Sequence, residues 1–154
     1  MITIRKASRA DAKCLDRLYT ELEQDAVDYQ PEHFVISSRT RLTDDMFDSD
    51  TQTMLVAEND GTVIGFAHLM LIKAKDIPCL KPQTALYLQD LVVTADYRSK
   101  GIGTMLLSAA KEYGREKDAD FFRTQVFPQN TDGLRFYERN GFAEKMKTIE
   151  CPLI

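Results

Sequence analysis

Arg98, Ser99, Lys100, Gly101, Ile102, Gly103 and Thr104 form one stretch that could hold an anion. Two glycines let the backbone turn tightly and come close to a ligand. The residues after them, Ile102, Met105, Leu106, Ala109, Ala110 and Tyr113, recur at helical spacing, so the loop opens a helix. The first N–H groups of a helix lack internal acceptors, and its dipole adds partial positive charge there. A phosphate fits such a cradle. Two familiar phosphate patterns are excluded: G-x-x-x-x-G-K-[ST] is absent, and Gly101-x-Gly103 lacks the third glycine of the dinucleotide fingerprint.

A second stretch carries a phenol and an amide. Asn130 is followed by Phe136, Tyr137, Glu138, Gly141 and Phe142. The R-x-x-G-x-G run at Arg98 to Gly103 resembles the acyl-CoA signature of the GNAT N-acetyltransferases. The Asn130 to Phe142 run is similar to that family's other CoA-side segment. The resemblance implies a GNAT-like acyl-CoA N-acyltransferase fold with acetyl-CoA as co-substrate and no metal. It implies that backbone amides from Ser99 to Thr104 hold the pyrophosphate and that Leu91, Val92 and Val93 pair with the pantetheine arm as an added strand would. It also implies that Asn130 contacts the cofactor and that the Tyr137 hydroxyl points at the thioester sulfur.

Acetyl transfer to an amine sets three chemical demands. The amine must be neutral to attack, and with a pKa of about 10.4 fewer than about one in a thousand amines are neutral at pH 7. A general base answers this. An oxyanion needs an N–H donor, for which the backbone of Val92 is the expectation. The departing thiolate gains from a proton donor, the place for Tyr137. For the base, family members often carry a Glu that aligns with Tyr87 or Gln89, neither of which is a carboxylate. Asp90 is adjacent, but plain strand alternation puts it on the face opposite Tyr87 and Gln89. Either a β-bulge re-aims Asp90, or the proton leaves through water held by Gln89, Tyr87 or backbone carbonyls. His33 is a further candidate base. No Cys-His or Ser-His arrangement competes for a covalent route.

These residues need a frame. Ile2 to Arg5 alternates as a strand, and Ala12, Leu15, Leu18, Tyr19 and Leu22 predict a helix to about Asp25. Leu42 to Phe47 reads as a short helix. Thr53 to Glu58 and Val63 to Lys73 are strands joined by the hairpin signal Asn59, Asp60, Gly61. Ala85 to Val93 is the central strand, Phe121 to Phe127 another, and Lys145 to Cys151 can form a last one. Asn130 or Thr131 caps a short helix, and Gly141 takes its left-handed end. The result is an α/β (α+β) mixed sheet flanked by helices, expected as one domain over residues 1–154. By the resemblance, the segment after the first helix covers the acceptor, with Tyr29, Glu32, Phe34 and Tyr87 on the substrate side.

Composition limits the partners. The net charge of −4 argues against a general nucleic-acid binder. Residues 11–60 hold thirteen acids against four bases, leaving eleven acids and sixteen bases elsewhere. An acidic first third attracts a cationic acceptor, and a basic remainder suits polyanionic CoA. No apolar run spans a membrane and the first residues lack a signal core, so a cytoplasmic location is expected. Cys14, Cys79 and Cys151 are odd in number and scattered, as reduced thiols are. The acceptor is a small-molecule or peptide-borne amine, and a homodimer is an expectation by resemblance. The alternatives are an acyl-CoA-binding module without turnover and an acetyltransferase of protein N-termini or lysines.

Overall fold

The structure, a computed structural model, describes residues 1–47 and 49–154. Five strands lie in the order β1-β2-β3-β4-β5: Ile2–Lys6, Gln52–Asn59, Thr62–Lys73, Thr84–Val93 and Phe121–Thr124. The first four are antiparallel neighbours, and β4 pairs with β5 in parallel. The helices are α1 (Ala12–Tyr29), α2 (Asp44–Phe47), α3 (Ile102–Glu116) and α4 (Thr131–Arg139). The hairpin between β2 and β3 turns at Asp60 and Gly61, with φ of 49° and 87°. Two adjacent positive φ values make the turn whose twist suits flanking strands.

Strand alternation divides the core into two layers. Leu55, Ala57, Ala67, Leu69, Leu86 and Leu88 face one side and meet Ile102, Leu106, Leu107 and Ala110 of α3. Met54, Val56, Phe66 and Val92 face the other and meet Leu15, Leu18 and Tyr19 of α1. The longer reach of α1, to Tyr29 rather than Asp25, follows from the absence of a breaker before Pro31.

The α1 layer is anchored at its start by charge. Arg5 on β1 grips the buried Asp11 with Nη1 and Nη2, both at 2.9 Å, and reaches Glu58 with Nε at 3.0 Å. The guanidinium holds the Asp11 carboxyl below its ordinary pKa despite burial. Asp11 also accepts from the Ser8 N–H at 2.8 Å, which ties off the chain just before α1.

The expected last strand is not formed. Residues 142–154 carry no regular structure, and Met146 and Ile149 are 81% and 91% exposed. Met146 and Ile149 stand three apart and would point to opposite faces of a strand, and β5 is only four residues long and offers little edge for pairing. The tail touches the loop after α1 instead, where His33 Nε2 lies 2.7 Å from Glu150. Glu150 raises the pKa of His33, whose ring is thereby engaged with the tail.

Candidate active site

The site begins where β4 and β5 part. Their pairing runs from Ala85 with Phe121 to Leu88 with Thr124 and then stops. From Asp90 to Val93, β4 is paired on its β3 side only, and Gln89 is paired on neither side. An unpaired strand edge is a template for an extended ligand.

At this point β4 bulges. Leu69 pairs with Leu88 and His68 with Asp90, so Gln89 has no partner on β3. A bulge resets which face the following side chains meet. Leu86 and Leu88 face the α3 layer, as do Leu91 and Val93, whereas Val92 enters the α1 layer. Plain alternation would have placed Asp90 opposite Tyr87. The extra residue instead brings Asp90 to the Tyr87 side, and Gln89 is left exposed.

Backbone direction along the open edge follows from four contacts. Thr94 N–H donates to Ile64 O on β3 at 2.9 Å. Val92 O lies so close to Gly65 on β3 that a Cβ there would stand 2.8 Å from it. Val93 O accepts from Arg98 Nε at 2.9 Å, away from β3. Leu88 O accepts from the Thr124 hydroxyl at 2.9 Å on the β5 side. Alternation therefore turns Leu91 and Val93 to the open edge and Val92 to β3. This corrects the expectation that the Val92 N–H serves an acyl oxygen: it lies on the β3 side, and the open edge presents Leu91 and Val93.

Asp90 sits in a charged enclosure. Its side chain is 8% exposed. Oδ2 accepts from the Tyr19 hydroxyl at 3.3 Å and stands 3.7 Å from both Arg41 Nη2 and His68 Nδ1. Arg41 also lies 3.6 Å from Glu23 and stacks over the Tyr19 ring at 4.6 Å. Burial and then the Asp90 charge push the Tyr19 hydroxyl well above its ordinary pKa. Tyr87 is raised for the same two reasons. A cavity of about 200 Å³ opens beside this group, lined in part by Asp16, Tyr19, Glu23 and Arg41.

On the α3 side stands Tyr137. Its ring packs edge-on to Phe136 and Phe142, 5.1 and 5.3 Å between centroids. Burial pushes the phenol up to about 12, a hydrogen bond with Thr124 draws it down, and the Asp90 charge adds a further upward push. The last effect places Tyr137 within electrostatic reach of Asp90 across β4. α4 is fixed at both ends: Asn130 Oδ1 accepts from Gly133 N–H at 2.9 Å, and Gly141 ends it at φ 92° with Phe142 N–H donating to Tyr137 O at 3.0 Å. Asn130 is thus an N-cap by its oxygen.

The glycine loop has the shape of an anion cradle. Ser99 and Gly101 have φ of 61° and 81°. The first turn of α3 closes from Met105 N–H to Gly101 O at 3.0 Å, so the N–H groups of Ile102, Gly103 and Thr104 precede any intrahelical acceptor. Gly103 serves packing: a Cβ there would stand 3.0 Å from the Phe136 ring. Lys100 Nζ lies 5.3 Å from the Tyr97 ring centre. Arg98 braces the loop, with Nη2 3.8 Å from Asp25 and 4.0 Å from Glu21 in addition to its bond with Val93 O. The loop, the open edge and α3 together fit an extended polyanion with a strand-like arm.

The expected substrate-side residues divide. Tyr29 and Phe34 gather on Phe127, at 5.9 and 5.4 Å between centroids, beyond the end of β5. Glu32 is exposed, and Tyr87 joins the Asp90 face. Sequence reasoning missed Tyr19, Arg41 and His68. Tyr19 reads as a helix core position, and His68 stands in an otherwise apolar strand. Among the described residues, no group of three or more His, Cys, Asp or Glu could hold a metal ion, and no helix is long and apolar enough to cross a membrane.

Comparison with known proteins agrees with this geometry. The Acetyltransferase (GNAT) family matches residues 15–142. An uncharacterized N-acetyltransferase of Bacillus subtilis, YhfO, is 30% identical over 146 residues, 93% of this chain and 91% of its own. A mutant of the BH1408 protein from Bacillus halodurans shares the fold with a TM-score of 0.91 at 24% identity, over 99% of each chain. An aminoglycoside N-acetyltransferase, AAC(6')-Iy, solved in complex with CoA, shares it with a TM-score of 0.76 at 19% identity, over 99% of this chain and 94% of its own. The match extends from α1 through the glycine loop to the end of α4, and the chain belongs to the GNAT family of acetyltransferases.

Proposed function

We propose that the protein moves an acetyl group from acetyl-CoA to the primary amine of a cationic small molecule by direct attack in a ternary complex. The observation that carries this reading is the open β4 edge, with the glycine loop at one end and Asp90 and Tyr137 on its two sides. The pantetheine arm pairs with Leu91 and Val93, and the pyrophosphate rests on the N–H groups around Ser99 to Thr104. Lys100 adds positive charge there. Arg98 and Asn130 act here as braces of the loop and of α4.

The amine enters through the cavity beside α1. Its wall holds two carboxylates, Asp16 and Glu23, and two guanidiniums, Arg39 and Arg41, the latter spanning Glu23 and Asp90. Asp90 takes the proton that the ammonium must lose, and the Tyr19 hydroxyl holds that carboxylate in place. The nitrogen attacks the thioester carbon, and the carbonyl oxygen gains charge against an N–H of the open edge, with Leu91 the assigned donor.

Tyr137 serves the leaving group. Its phenol, pushed up to about 12, stays protonated at neutral pH. A thiol titrates near about 8.5, so complete transfer from this phenol to the thiolate is uphill by roughly three pKa units. Tyr137 therefore works as a hydrogen-bond donor to the developing thiolate, and the net proton comes from the amine itself. The aminoglycoside acceptor named for AAC(6')-Iy supports a small polycationic amine.

Calorimetric titration with acetyl-CoA and CoA, on the wild type and on Asp90→Asn, tests this assignment. Both proteins are expected to bind both ligands alike, with amine-dependent thiol release falling about 100-fold in Asp90→Asn. Tight CoA binding with no thiol release from the wild type on any amine would make the protein a binding module instead.

A further inference from the structure

We propose that His68 is a positioning residue that receives, on its bare Nδ1, the proton Asp90 takes from the amine. The inference rests on the reading of Asp90 given above and deepens it. His68 is 3% exposed and lies on β3 directly across from Asp90 in the register that the bulge creates. Gln52 on β2 presents its carboxamide oxygen to Nε2 at 2.9 Å. An acceptor at Nε2 fixes the proton of the neutral ring there. Nδ1 is then a lone pair, buried and without any hydrogen-bond partner. Its nearest charged neighbour is Asp90 Oδ2 at 3.7 Å.

A buried ring nitrogen without a partner costs free energy unless something uses it. Here it faces the carboxylate assigned to the amine. An ordinary carboxyl titrates near about 3.9, an imidazole near about 6.5 and an alkyl ammonium near about 10.4. In general a lone carboxylate is a poor final holder for an ammonium proton, and an imidazole behind a carboxylate is a better one. The step balances. The ammonium N–H bond breaks, its electron pair stays on nitrogen for the attack, and the proton passes through Asp90 Oδ2 to Nδ1. An imidazolium–carboxylate pair results, which returns the proton to water after turnover. The second amine proton leaves with the thiol.

Other groups face this pair from each neighbouring element. Tyr19 comes from α1, Arg41 from the loop after it and Tyr87 from β4, while Tyr137 of α4 lies across β4 in the α3 layer. Arg41 and the Tyr19 hydroxyl stabilise the carboxylate in its charged state. Both approach Oδ2, the oxygen that faces His68. Glu23 offsets the Arg41 charge.

The chain has two histidines, and His33 is exposed on the tail contact, so the two ring signals separate readily in nitrogen-15 NMR. The resting wild type is expected to show His68 as the Nε2–H tautomer at neutral pH. In the activity arm, His68→Asn keeps a polar group near the Nδ1 position but cannot hold a proton. It should lower kcat about tenfold or more, leave the KM for acetyl-CoA within about twofold, and abolish the acid limb of the pH profile. An Nδ1–H tautomer in the resting protein or a wild-type pH profile in His68→Asn would each overturn the proposal. Absence of thiol release from the wild type would overturn the acetyltransferase reading instead, while the NMR arm still decides whether His68 and Asp90 share a proton.

Discussion

At the scale of single residues, Tyr137 separates binding from chemistry. Its hydroxyl has no part in the proposed hold on CoA, which runs through backbone groups. Tyr137→Phe is therefore expected to bind acetyl-CoA within about twofold of the wild type and to turn over about 10- to 100-fold more slowly. Stopped-flow thiol release checks this, and unchanged turnover would remove the donor role. Asp90 makes the complementary case, because its variant keeps the shape of the site and loses the charge. Some of this was legible in the sequence and some was not. Tyr137 stood out because Asn130, Phe136, Gly141 and Phe142 surround it at recognisable spacing. His68 did not, because an isolated histidine in an apolar strand gives no hint of a partner 22 residues on; only the register supplies it.

At the scale of elements, the β4 bulge is the decisive feature. It leaves Gln89 unpaired, turns Asp90 toward α1 and ends the pairing with β5. No local residue signal announces it, since Leu88, Gln89 and Asp90 read as ordinary alternation. The glycine loop, the hairpin and the end of α4 were legible because each depends on a local backbone requirement: positive φ at Asp60, Gly61, Gly101 and Gly141. Gly65 has a different reason. Its missing Cβ lets β3 approach Val92 O, so Gly65→Ala should cost about 1–3 kcal/mol by urea denaturation and weaken acetyl-CoA binding by displacing the open edge. A variant as stable as the wild type, with unchanged affinity, would show that the strands yield without harm.

The Arg5–Asp11 pair sets the entry of α1 and is testable by pH. Arg5 depresses the folded-state pKa of Asp11, so the pair contributes stability above the unfolded value of about 3.9 and loses it as pH falls through the folded value. Asp11→Asn is expected to cost about 2–3 kcal/mol at pH 7, less than a fully buried pair because Arg5 is about one-third exposed. The difference from wild type should shrink below about pH 4. A gap that stays constant from pH 7 to pH 3 would assign the cost to packing.

At the scale of the molecule, two layers meet along one split sheet, and the split is where the proposed reaction occurs. α1 carries Asp16, Glu21, Glu23, Asp25 and Asp28, and the α3 layer begins with the glycine loop and its lysine. The charge imbalance was visible in the sequence, and the sheet turns it into two sides of one strand. The tail from Lys145 to Cys151, read as able to form a last strand, finds no pairing edge beside the short β5.

The most direct test of the whole account is thiol release from acetyl-CoA against a panel of aminoglycosides, polyamines, amino acids and short peptides, with the acetylated product identified by mass spectrometry. The account predicts release with a polycationic small amine, one thiol for each acetylated nitrogen. Acetyl-CoA that fails to bind at all would contradict it, because the open edge of β4 and the loop from Arg98 to Thr104 would then have no ligand in common.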